Sequence, residues 1–305
     1  MDAPDASSHS TVPAVPAVPA VPTVPTVPCA PSAPVASVAS VASALVELDR
    51  RVAGCRACPR LVAWREEVAR TKRAAFADWT YWGRPVPGFG PPDARLLIVG
   101  LAPAAHGGNR TGRMFTGDRS GDVLYQALYD VGLASQPTAV AADDGLELHG
   151  VRITSPVHCA PPANKPTPGE RDACRPWLVQ ELRLLRPTLR AVVVLGAFGW
   201  QAALPAFAEA GWTVPRPRPA FAHGTRVTLA GPDDGHALDV FGCFHVSQRN
   251  TFTGRLTPAM LRDVLRTAAG VAGGPAIGRD EVGRVQDRPA DRAVALLRRD
   301  RPDRP

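Results

Sequence analysis

The segment Gly100-Leu-Ala-Pro-Ala-Ala-His-Gly-Gly-Asn-Arg-Thr-Gly-Arg-Met-Phe-Thr-Gly-Asp118 follows an apolar run, Arg95-Leu-Leu-Ile-Val99, and leads into an amphipathic stretch. It reads as a strand, a glycine-rich loop and a helix, and open α/β sheets carry their chemistry at the carboxyl ends of strands. Five glycines let the backbone approach a flat or anionic ligand closely. Phe115 offers a stacking face, and Asp118 a carboxylate just before the next helix. That combination suits a nucleobase with its sugar phosphate. No Gly-Lys-Ser/Thr follows and no Gly-x-Gly-x-x-Gly stands at the strand end, so the two commonest phosphate loops are weak explanations.

A second polar loop, Phe244-His-Val-Ser-Gln-Arg-Asn-Thr-Phe-Thr-Gly-Arg-Leu-Thr257, follows the last apolar strand. A histidine at a strand end is either a structural hydrogen-bonding group or a catalyst. This loop would leave the sheet on the same edge as the glycine-rich one.

Cys55 and Cys58 form a Cys-x-x-Cys pair, and Cys159 and Cys174 follow about a hundred residues later. Four soft thiolates in a chain without a secretion signal argue for a metal or cluster site rather than disulfides. Spacing leaves zinc and iron-sulfur both open. An all-cysteine tetrad has no open metal position for substrate or water, so its role reads as structural. Pro59, Pro161 and Pro176 are expected to stiffen the ligand loops. Cys243, at a strand end, reads as a small core residue.

The elements that must position these groups alternate in type. Apolar runs at Leu96–Val99, Val151–Thr154, Ala191–Leu195, Arg226–Leu229 and Ala237–Phe241 read as strands. Helical patterns cover Gly121–Gly132, Glu170–Leu185 and Ala197–Ala210, and a last one over Thr257–Ala269 opens with a cap residue followed by proline. The fold class is therefore α/β, a three-layer α/β/α sandwich with a central mostly parallel sheet. Strand order is not readable.

Residues 1–42 repeat Val-Pro with Ala or Thr and are expected to be a disordered Pro/Ala/Val-rich tail. Residues 271–305, rich in Gly, Arg, Asp and Pro, are expected to be a second charged tail, with a short helix over Ala293–Leu297 as its one candidate element. Residues 43–270 are left for one folded domain. The whole net charge of +7 falls in that core, which favours an anionic partner; the strong Arg, Ala and Pro bias also has a compositional origin. No signal peptide or membrane span is visible, so a cytoplasmic monomer is expected.

The glycine-rich loop, His245-x-Ser-Gln, Asn250-Thr-Phe-Thr-Gly-Arg-Leu-Thr257 and the four cysteines together resemble the type 5 branch of the uracil-DNA glycosylases, over nearly the whole core. The resemblance implies a uracil-DNA glycosylase-like fold and a [4Fe-4S] cluster on Cys55, Cys58, Cys159 and Cys174. It implies removal of uracil, and of other deaminated or damaged bases, from DNA in base excision repair, with the protein on the nucleoid when bound. Asp118 matches the catalytic aspartate, Asn164 an active-site asparagine, His245 the histidine of the second motif, and Phe115 the aromatic that stacks on the flipped base. Gly100, Ala102, His106 and Asn109 would line the base pocket. Arg249 and Arg255 would sit near phosphates, Asn250 beside them, with Gln248 or Phe252 filling the gap in the stack. Two departures stand out: Met114 and Val246 replace prolines usual in the family, which puts loop stiffness in question.

Those residues suit the reaction. Glycosidic cleavage passes through a sugar with oxocarbenium character, which an ionised Asp118 can stabilise while orienting water. His245 can hydrogen-bond the departing base, and Asn164 can read an imide edge once the base is turned out of the duplex. Two other readings remain at this level: a non-catalytic iron-sulfur protein that binds DNA lesions, and a nucleotide-binding electron-transfer domain.

Overall fold

The computed structural model describes residues 38–232 and 235–273. The Val-Pro tract, Cys29 and the charged tail beyond 273, with Ala293–Leu297, lie outside the described residues.

Five strands form one sheet: β1 (Leu96–Val99), β2 (Val151–Thr154), β3 (Ala191–Leu195), β4 (Arg226–Leu229) and β5 (Leu238–Cys243), in the order β2-β1-β3-β5-β4. All pairings are parallel except β4 with β5. The helices are α1 (Val38–Ala53), α2 (Pro59–Thr71), α3 (Gly108–Thr111), α4 (Arg119–Asp130), α5 (Pro168–Leu185), α6 (Gly196–Glu209), α7 (Gln248–Phe252) and α8 (Pro258–Val271).

Strand alternation divides the core between two faces. Leu96, Ile98, Ile153, Val193 and Phe241 pack with α4 and α8 on one side. Leu97, Val99, Val192, Val194 and Val240 pack with α1, α5 and α6 on the other. This is the expected three-layer α/β/α sandwich with a mostly parallel sheet. The chain leaves β1 for neighbours on either side, so the carboxyl ends of β1, β3 and β5 border a topological switch where ligands bind in open sheets.

Helix α1 begins at Val38, inside the segment 1–42 read as a disordered tail. Beyond Pro34 the prolines stop, and Leu45, Leu48 and Val52 supply a helical stripe that buries against the sheet. Pro59 and Pro176 lie in helices rather than ligand loops: Pro59 opens α2, where its missing N–H costs nothing, and Pro176 sits inside α5. Pro161 alone keeps a loop position, ahead of a 3-10 turn at Pro162–Asn164. Cys243 is a buried free thiol, its pKa pushed up by burial to about 12. Among the described residues no helix is long and apolar enough to cross a membrane.

Candidate active site

Three chain segments meet at the carboxyl edge of the sheet. The Gly100 amide donates to the Thr154 carbonyl (2.8 Å), continuing the β1–β2 ladder by one residue. A β-carbon on Gly100 would lie 2.9 Å from the Phe115 ring, so the glycine exists to let that ring lie flat on the strand end. Phe115 itself holds a left-handed φ of 53°, a strained conformation for an aromatic residue that aims the side chain back at the sheet. Gly196, where β3 ends, has φ 88° and would bring a β-carbon within 3.1 Å of the His245 Cβ. The Phe115 and His245 rings are 6.3 Å apart and inclined by 36°. One wall of the site thus carries a stacking face beside an imidazole.

Asp118 caps α4. Its Oδ1 accepts from the Ser120 and Gly121 amides at 2.9 and 3.0 Å. Oδ2 accepts no hydrogen bond from the described residues and lies against Gly107, where a β-carbon would collide with it. Burial pushes the Asp118 pKa up, opposed by the two amides and weakly by Arg110. The carboxylate therefore has one oxygen fixed by the helix and one free to act. Burial also lowers the His245 pKa to about 4, so its imidazole is neutral at physiological pH, with one ring N–H available to donate.

The second loop is partly helical rather than irregular, because Gln248–Phe252 forms α7. Asn250, expected to face DNA, instead donates through Nδ2 to the His245 carbonyl (2.8 Å), and its own carbonyl accepts from Leu256. It fixes the backbone that carries the histidine. Phe252 is 71% exposed at the end of α7, a large apolar side chain with no cover. Gln248 and Arg249 are also exposed, and Arg255 stacks over Phe244 at 4.6 Å. These four stand where a nucleic acid could reach them.

Within the glycine-rich loop, His106 Nδ1 lies 3.0 Å from the Tyr81 hydroxyl. Asn109, expected to line the base pocket, is 0% exposed and donates to the Arg65 carbonyl of α2 (3.2 Å). The short turn of α3 rotates it inward, where Nδ2 anchors the loop and the buried Oδ1 has no partner among the described residues. Ala102 packs with Leu61, Val157 and Cys159. Asn164 is exposed and has φ 55°; its backbone N–H donates to the Pro161 carbonyl (3.2 Å), while its side-chain carboxamide makes no hydrogen bond among the described residues. The turn that carries it is held by Arg60, which bonds the Lys165 carbonyl and Glu170. Met114, where proline was expected, is fully buried, and its carbonyl accepts from Tyr125 (2.8 Å). Val246 is likewise buried. Packing supplies the stiffness that proline would have given.

The four cysteines line one cavity together with Arg65 and His158. They come from the end of α1, the cap of α2, the loop after β2 and the second turn of α5, and all are free thiols. Burial pushes the thiol pKa of Cys159 to about 11 and of Cys174 to about 12. Arg65 donates to the Cys159 Sγ (2.9 Å) and to the Cys55 carbonyl (3.2 Å), and the His158 amide faces the Cys174 Sγ (3.4 Å). His158 Nδ1 bonds the Val86 carbonyl (2.7 Å), leaving a buried Nε2 with no partner. No group of three or more His, Cys, Asp or Glu among the described residues closes tightly enough for a single metal ion.

Sequence reading missed several contributors. Tyr81 comes from an aromatic-rich loop, Asp78-Trp-Thr-Tyr-Trp-Gly83, whose lack of periodicity was the available signal. Arg65 and His158 gave none, because a mid-helix arginine and an isolated histidine acquire meaning only from what folds against them.

Residues 87–269 match the family profile described as the uracil DNA glycosylase superfamily. The type-5 uracil-DNA glycosylase of Mycobacterium bovis is 56% identical over 230 residues, covering 75% of this chain and 82% of that protein. Its counterpart in Thermus thermophilus is 50% identical over 222 residues, covering 73% of this chain and 95% of that protein. A type-4 uracil-DNA glycosylase of Sulfurisphaera tokodaii is 32% identical over 133 residues, 43% of this chain and 52% of that protein. With a family profile over most of its length and type-5 relatives at 50% identity and above, the chain belongs to the uracil-DNA glycosylase superfamily, in its type-5 branch.

Proposed function

We propose that the protein hydrolyses the N-glycosidic bond of uracil in DNA, with Asp118 as the reacting carboxylate, His245 as donor to the departing base and Phe115 as its stacking face. The observation that carries this reading is the free Oδ2 of Asp118, held in a partly desolvated site where charge acts strongly. An ionised Oδ2 stabilises positive charge on the sugar and orients the water that attacks it. The neutral His245 donates to the uracil oxygen as negative charge grows there, without a full proton transfer. Asn164, at the tip of its strained turn, would read the imide edge of the base. Phe252 is suited to the gap left in the stack, with Gln248, Arg249 and Arg255 along the strand. Incubation with a single-uracil oligonucleotide should yield alkali-labile abasic sites. A panel with hypoxanthine and xanthine measures whether other deaminated bases are accepted. Intact uracil oligonucleotide after prolonged incubation would remove the proposal.

We also infer that Cys55, Cys58, Cys159 and Cys174 hold a [4Fe-4S] cluster. In support, the four cysteines line one cavity, and the buried Arg65 guanidinium donates to the Cys159 Sγ, where it would offset negative charge. Thiols with such raised pKa values become ligands only when a positive centre displaces their protons. The cluster would serve as a structural crosslink. Cys159 and Cys174 bracket the turn bearing Asn164, so the crosslink would also fix that residue. Anaerobically purified protein should be brown, with about four irons and four labile sulfides per chain. Cys55→Ala should lose both colour and stability; a colourless zinc-loaded wild type would end the cluster claim.

A further inference from the structure

We propose that Arg110 is a positioning residue for base release: a buried guanidinium without a carboxylate partner that closes the loop behind Asp118 and sets a positive charge near it. This rests on Asp118 being the reacting carboxylate.

Arg110 is only 3% exposed. Its Nε donates to the His106 carbonyl (2.8 Å) and its Nη2 to the Gly117 carbonyl (3.0 Å), so one side chain bridges the two ends of the turn that carries Gly107 and leads to Asp118. Gly117, at φ 74°, has to lack a β-carbon, which would strike the guanidinium. The Phe76 and Trp79 rings cover the guanidinium, 4.0 and 4.1 Å from its Cζ. Its Nη1 is sealed from solvent with no partner. None of the ion pairs among the described residues includes Arg110.

A buried cation with an unmet donor is costly, and an apolar side chain of similar length would avoid that cost. The ring faces recover part of it. What an apolar side chain could not supply is a positive field at Asp118, the residue that follows the carbonyl Arg110 holds. Burial pushes the Asp118 pKa up, and Arg110 opposes this. The other groups facing Asp118 are the Ser120 and Gly121 amides and the Asp122 carboxylate on α4, with Tyr125 interacting from the next turn. Around Arg110 stand Tyr81 and, through its carbonyl, His106, which in turn feels Arg73. Arg110 is the one cation in the set that acts on the carboxylate.

The test is the pH dependence of single-turnover uracil release, whose acid limb reports ionisation of the essential carboxylate. Arg110→Met should move the acid limb to higher pH and slow release at neutral pH by about 10- to 100-fold, with oligonucleotide affinity retained. Arg110→Lys keeps the charge but loses the fork, so its limb should stay at the wild-type position while the rate falls. A limb that does not move in Arg110→Met, at any rate, overturns the proposal. So does a Lys variant whose limb moves as far as that of Met. Should Arg110→Met fail to fold, Trp79→Leu removes one ring from a half-exposed position and wets the guanidinium. Its limb should move the same way by less, and an unmoved limb overturns the proposal. Wild-type protein run alongside keeps the two ideas apart: no uracil release by wild type defeats the glycosylase reading, whereas active wild type with unmoved limbs defeats only the role of Arg110.

Discussion

Asp118→Asn should lower the rate of uracil release by about three orders of magnitude while DNA binding and the fold survive. The substitution changes one atom and one charge. Asparagine keeps an oxygen for the Ser120 and Gly121 amides, so the α4 cap is retained. What is lost is the negative oxygen against Gly107, the group that would stabilise the sugar cation. The stability outcome has the opposite sign. Burial places the folded-state pKa of Asp118 above its unfolded value, so this residue's contribution is most favourable below the unfolded pKa and declines as pH rises through the folded one. At neutral pH the ionised side chain is a net cost, and Asp118→Asn should melt no lower than wild type. At about pH 4 that advantage should shrink. Asp118→Ala loses the cap as well, and should be destabilised by about 1 kcal/mol relative to Asp118→Asn. Near-normal turnover in the asparagine variant would take Asp118 out of the mechanism.

Arg152→Met should cost about 3 to 5 kcal/mol at neutral pH, the largest stability loss expected from a single substitution outside the cysteines. Arg152 lies on β2 and is almost wholly buried. Its Nε bonds Glu181 of α5 (2.5 Å), its Nη2 both oxygens of Asp49 of α1 (3.0 Å), and its Nη1 the Gly90 carbonyl (2.9 Å). One guanidinium therefore joins the sheet to the two helices that lead to Cys55 and carry Cys174. Gly88 passes so close that a β-carbon there would strike both Glu181 and Arg152. Removing the cation strands two carboxylates in a poorly solvated site. Burial already holds Asp49 at about 6 with Arg152 present, the arginine lowering it and Glu181 raising it. Without Arg152 the Asp49 pKa rises further. A group with a raised folded pKa stabilises in its protonated form and loses that contribution as pH climbs through the folded value. The deficit of Arg152→Met in urea unfolding should therefore narrow between pH 7 and pH 5. A deficit of equal size at both values would show that packing, not charge, is what Arg152 supplies.

The strands were legible as short runs bounded by turn residues: β1, β2, β3 and β5 are buried along nearly their whole length, whereas β4 buries only Leu229. Four of the five expected runs coincide with β1 to β4, and the fifth is offset by one or two residues at each end. α8 announced itself through Thr257 followed by proline; α4 and α5 were read from their helical patterns, and the structure adds Asp118 and Thr167 as the side chains that cap their first turns. Helices α1 and α2 were not read. One starts close to the proline tract, and the other has an arginine among its few buried positions, which blurs its apolar pattern. α3 and α7 span barely more than a turn and carry polar residues. Such elements persist only because the loops around them are packed.

The sequence by itself determined the fold class, the two loops that carry the reacting groups and the pairing of a cysteine tetrad with them. Each is a local pattern: an apolar run, a spacing of glycines, a motif. Only the tertiary structure decided the strand order, which brings Gly100, Gly196 and His245 to one edge. It also decided that Asn109 and Asn250 each bond a backbone carbonyl, that one Asp118 oxygen accepts no hydrogen bond from the described residues, and that the Arg110 guanidinium is sealed from solvent. Those outcomes depend on burial and on partners distant in the chain. Dielectric, pKa and hydrogen-bond satisfaction are properties of surroundings, and surroundings exist only after the chain has folded.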